Sequence, residues 1–141
     1  MKNTAICLLL LVLVSCKKSF TSSDLVLLNG NWEIENVELP NGRTNDYTIN
    51  PSGEAIQFKD GKGTKTKIML SLDGSIKPTP RITHFVVLDS NNVTYLKNSL
   101  SESVWLETLK EISDTKLVLE NQQNIIYQYK RILNTTDGKT E

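Results

Sequence analysis

The chain has 141 residues, 38% of them hydrophobic, which suffices for one core and is too short for two. Sixteen basic residues balance sixteen acidic ones with no basic block, which argues against nucleic acid as a partner and against anchoring to anionic lipid by charge. Both cysteines, Cys7 and Cys16, lie near the amino terminus, so the body of the chain has no disulfide framework and no thiolate metal site.

The amino terminus reads as an address. Lys2 gives a short positive lead, and residues 5–14 form an unbroken apolar run. As a helix such a run spans about 15 Å, half the hydrocarbon core of a bilayer, which suits a secretory signal and not a membrane span. It ends in Leu13-Val14-Ser15-Cys16, and Lys17-Lys18 closes it at once. With a Leu three before the cysteine and a small residue just before it, this segment resembles the lipobox of bacterial lipoproteins. The resemblance implies cleavage before Cys16, a diacylglycerol on its sulfur and an N-acyl chain on its amino group. Two or more acyl chains hold a protein stably at a membrane. Lys17 replaces the Asp that usually retains lipoproteins at the inner membrane, so the expected location is the cell envelope, at the outer membrane.

Residues 16–24 are polar and rich in Ser and Thr, the composition of a lipidated tether. Ser23 or Asp24 is placed to cap one helical turn over residues 25–28, ending at Asn29-Gly30. Strand signals follow. Residues 32–39 end at Pro40-Asn41-Gly42, and 43–53 is polar and irregular. Residues 55–59 and 64–72 flank Asp60-Gly61-Lys62-Gly63, a hairpin turn. Residues 76–80 carry Pro78 and Pro80, which marks a loop or a sheet edge. Strands are predicted at 81–88, 93–97, 104–112, 116–120 and 125–132, with a polar tail over 134–141. The count is an all-β, single antiparallel up-and-down barrel of about eight strands over 25–133.

Gly30-Asn31-Trp32, opening the first strand after a helical turn, resembles the Gly-x-Trp signature of lipocalins. Phe58-Lys59-Asp60-Gly61-Lys62 and the closing segments 112–120 and 127–131 are similar to bacterial lipocalin-like lipoprotein domains. In that family the tryptophan packs across the closed end of the barrel, beneath a basic residue from near the chain end. The resemblance assigns these structural roles to Trp32 and Arg131. The segment from Pro78 to Leu88 matches no motif of the family.

No residue set forms a catalytic or metal site. His84 is the single histidine and has no Cys, His or Asp motif beside it. Glu33 with Glu35, and Glu107 with Glu111, are spaced to share a strand face, the usual pattern of a solvated wall. Gly61-Lys62-Gly63-Thr64 lacks the helix that a phosphate loop requires. Trp105, Tyr95, Tyr127 and Tyr129 are the candidates to line a ligand cavity, because aromatic rings combine apolar area with a polar tip. The expected function is non-catalytic binding of a small apolar or amphipathic molecule in an apolar-lined cup. The alternative is a protein-interaction lipoprotein, an immunity or envelope-assembly factor, with a filled barrel. No cofactor is expected beyond the lipid on Cys16.

Overall fold

A computed structural model describes residues 19–46 and 52–133. The expected signal segment, the expected lipidation motif with Cys16, and the tail over 134–141 lie outside the described residues. The chain enters through a short helix, α1 (Ser22–Leu25), which runs into a 3-10 turn over Val26–Leu28. The cap is Thr21, not Ser23 or Asp24: its hydroxyl accepts from the Asp24 amide at 3.3 Å, and the Asp24 carboxylate accepts from the Thr21 amide at 2.8 Å. Asp24 therefore serves as the reciprocal partner three residues on.

Nine strands follow: β1 (Gly30–Glu38), β2 (Thr44–Asp46), β3 (Ser52–Lys59), β4 (Lys62–Leu70), β5 (Ile76–Ser90), β6 (Val93–Leu100), β7 (Ser103–Ile112), β8 (Lys116–Asn121) and β9 (Ile126–Arg131). From β3 to β9 each pairs antiparallel with the next. β1 pairs with β3 through its first four residues and with β9 from Trp32 to Glu38, so eight strands close into an up-and-down barrel. β2 is the extra strand. It folds back on Asn36, Val37 and Glu38, beyond the reach of β3, and occupies part of the stretch expected to be irregular. Ser52 and Gly53, assigned to the same stretch, already belong to β3.

Tight turns explain the closeness of the strands. Asp60 and Gly61 have φ of 51° and 80°, and Asn91 and Asn92 have 52° and 59°, the paired positive values of two-residue hairpins. The segment with two prolines is an edge and not a loop: β5 pairs with β4 from Ile76 onward but with β6 only from His84. Pro78 and Pro80 thus sit where one side of the strand has no ladder to break.

Alternation carries Trp32, Ile56, Phe85, Leu96, Leu109, Leu117, Leu119 and Tyr129 into the interior, where Leu25 and Leu28 join them from the opening turn. The turn plugs one end. The Trp32 indole Nε1 donates to the Leu28 carbonyl at 2.9 Å. The Arg131 guanidinium lies 4.1 Å from the Trp32 ring centroid, and Nη1 and Nη2 donate to the carbonyls of Asn29 and Leu27, each at 2.6 Å. A Cβ on Gly30 would stand 2.2 Å from Arg131 Nη1, at a φ of +138° that side chains rarely adopt. The glycine of Gly-x-Trp is therefore where the arginine passes.

Candidate binding cavity

The end of the barrel opposite the plug holds a cavity of about 410 Å³. Ile34 and Tyr129 face each other across the β1–β9 seam, and Tyr127 pairs with Leu119 on the same inner face. Trp105 and Glu107 bring β7 to the wall, and Asn121, Gln122 and Gln123 close the rim at the β8–β9 turn. Gln122 is fixed there, its side-chain oxygen accepting from the Leu106 amide at 3.2 Å. Glu54 and Lys67, cross-strand partners on β3 and β4, complete the opposite wall.

Below this opening the barrel carries charge where an apolar-lined cup was expected. The Lys65 ammonium makes an ion pair with the Glu107 carboxylate, with the side chains only 6% and 14% exposed. Asn98 is fully buried, and its Nδ2 donates to Glu107 at 2.8 Å and to the Leu96 carbonyl at 3.2 Å. Both partners are acceptors, which fixes the amide orientation. The Asn98 oxygen then has no partner, and neither has Oε2 of Glu54. Burial pushes the Glu54 carboxyl up from its ordinary range; Lys65 draws it back, Glu107 raises it further and Lys67 lowers it. Burial first, then the charges of Glu54 and Glu107, hold the Tyr129 phenol well above its ordinary value, so it stays neutral and able to donate.

Of the aromatic candidates, Trp105, Tyr127 and Tyr129 meet at the cavity. Tyr95 does not. Its neighbours Thr94 and Leu96 are buried inward on β6, and period two turns Tyr95 to the outer wall. Trp32 and Arg131 lie at the plugged end, away from the cavity. His84 is exposed on the outer wall of β5. Glu33 pairs with Lys130 at 3.0 Å and Glu111 with Lys116 at 3.1 Å. Glu107 and Glu111 do not share a face, because a bulge at Lys110 breaks the alternation and leaves Glu107 inside and Glu111 outside. The pairing of β1 with β9 likewise skips Glu35, which removes it from register with Glu33. Among the described residues no group of three or more His, Cys, Asp or Glu side chains is arranged to hold a metal ion.

Sequence reasoning missed Glu54, Lys65 and Asn98. A signal for the first was present: once Phe58 and Ile56 are read as inward, alternation along β3 puts Glu54 inside as well. Lys65 and Asn98 follow only from cross-strand register, which sets Lys65 beside Ile56 and Asn98 beside Phe85.

No protein-family model matches the sequence, and no curated protein matches it. Two solved structures resemble it at low identity. A lipocalin-like protein from Bacteroides uniformis ATCC 8492 is 12% identical, with a TM-score of 0.48, covering 75% of this chain and 99% of that one. A protein from Bacteroides eggerthii DSM 20697 is 11% identical, with a TM-score of 0.48, covering 74% and 99% respectively. The closed barrel itself rests on the pairing of β1 with both β3 and β9 in this chain.

Proposed function

We propose that this protein is a lipid-anchored envelope protein, held at the outer membrane through Cys16, whose barrel binds a small amphipathic molecule without catalysing its conversion. The observation that carries the binding half is the cavity of about 410 Å³ at the unplugged end, within the size range of small-molecule sites. Its walls revise the expected chemistry. Trp105 and Tyr127 stand beside Glu54, Glu107 and Lys67, so the occupant has both an apolar body and a polar group.

The anchoring half is supported by Leu13-Val14-Ser15-Cys16 and by reach. Phe20 is already docked, its amide donating to Thr94 Oγ1 at 3.3 Å. Four residues of extended chain reach at most about 14 Å, so lipid on Cys16 holds the barrel close to the bilayer. Changing Cys16 to Ala is expected to release the protein from membranes and abolish incorporation of labelled palmitate; membrane partition equal to the parent's would overturn the anchor. Native mass spectrometry of the purified protein, with a thermal-shift panel of amphipathic compounds, tests the cavity. A barrel that never carries or gains a small molecule sinks this half.

A second reading, a protein-interaction role, draws on the outer wall. Ile82, Val86 and Leu88 on β5 and Val104 on β7 are exposed apolar side chains. It expects an envelope protein to co-purify in mild detergent and to be lost when Val86 and Val104 are changed to Lys.

A further inference from the structure

We infer that the cavity selects molecules carrying an ammonium or a similar cationic N–H donor, seated against Glu54. This rests on the reading of the cavity as a ligand site and adds the head group that it takes.

The inference follows from counting charges and acceptors at the cavity floor. Glu107 Oε2 already accepts from the Lys65 ammonium and the Asn98 amide. Glu54 differs: the residue lines the cavity, and its Oε2, buried beneath the wall, has no hydrogen-bond partner. Ionised Glu54 makes two carboxylates against one buried ammonium, an excess of one negative charge. The other positive group near it is Lys67, its cross-strand partner on β4, which is exposed at the rim and acts on Glu54 through charge and not through a hydrogen bond. A buried acceptor left open is costly, and a charged donor that closes it gains more than a neutral one. An incoming carboxylate would meet two like charges instead of a partner. Above Glu54, Trp105 and Tyr127 supply the apolar and aromatic surface against which the rest of such a molecule can lie. The cavity therefore matches a cation with an apolar tail, inserted head first.

The test uses three probes of one chain length: octylamine, which is cationic at neutral pH, octanol and octanoate. Each is titrated into the intact protein by calorimetry, with emission of Trp105 at the mouth as a second readout. The amine is expected to bind about tenfold or more tightly than the alcohol, and octanoate more weakly than either. In Glu54→Gln the preference for the amine over the alcohol is expected to shrink to within about twofold, with a cooperative thermal melt showing that the variant is folded. If that variant does not fold, Glu54→Ala replaces it. Equal binding of amine and alcohol by the parent overturns the head-group inference and leaves the ligand cavity standing. Tighter binding of octanoate overturns it in favour of Lys67. Retention of the amine preference in the Glu54 variant also overturns it. If none of the three binds, the inference and the cavity reading fall together.

Discussion

At Arg131 a single side chain ties together three parts of the chain distant in sequence. Its guanidinium covers Trp32, donates to the carbonyls of Leu27 and Asn29 at the end of the opening turn, and donates through Nε to Asp114 before β8. Replacing it with Met keeps apolar cover over the indole but leaves these carbonyls without their charged donor. The expected loss is about 2–4 kcal/mol, read by urea unfolding. Glu54 acts in the opposite sense. Its carboxyl titrates higher in the folded protein than its ordinary 4.5, so the folded state holds the proton more tightly than the unfolded chain does. Stability then falls as pH rises from about 4.5 through the folded value, and the full cost of the buried charge is present above it. The groups facing Glu54 are Lys65 and Lys67 from β4, Glu107 from β7 and Tyr129 from β9. Glu54→Gln removes the titrating group, so it is expected to be more stable than the parent at pH 7 by about 1–3 kcal/mol and to lose that advantage near pH 4. Thermal melts across this range measure it. A parent whose midpoint rises from pH 5 to pH 7 relative to the variant contradicts the assignment.

Among the elements, alternation and turn residues made the strands readable, and departures from alternation concealed the site. The hairpins at Asp60-Gly61 and Asn91-Asn92 were evident because those residue types accept positive φ. Glycine and tryptophan at the start of β1 pointed to the plugged end. The bulge at Lys110 was not evident, because nothing in Leu109-Lys110-Glu111 distinguishes an extra residue from an ordinary one, and it reverses the face of everything after it. For the same reason the sequence revealed the aromatic part of the cavity and not its ionic floor: Lys65 and Asn98 look like ordinary outward polar residues until register brings them to Glu107. The prolines of β5 have an element-scale role. Over residues 76–83 the strand has no partner on the β6 side, and an open edge invites pairing with another chain. Replacing Pro78 and Pro80 with Val is expected to change stability by less than about 0.5 kcal/mol and to increase self-association, seen as light scattering that grows with concentration.

For the whole molecule, the plug and the cavity lie at opposite ends of one barrel. The described chain begins beside the plugged end, where the Phe20 amide donates to Thr94, so the proposed lipid on Cys16 would turn the cavity away from the membrane. A reporter placed at Gln123 on the rim is then expected to be reached by a water-borne quencher and not by one embedded in lipid. Equal quenching by both would show that the mouth lies against the bilayer.

The seam of the barrel joins its first strand to its last. β1 meets β9 in the pairing Trp32–Arg131, about a hundred positions apart, and hydrogen bonds between such distant segments form late because the intervening loop must close first. Under the proposed export, with the amino end leading, the chain accordingly has no finished wall until its final strand has crossed. The proposed lipid attachment at the front could then precede completion of the fold at the back. A protein truncated after Gln123 would lose the seam and the arginine clasp together; its expected behaviour is a broad, non-cooperative thermal transition, with sharp melting as the contrary result.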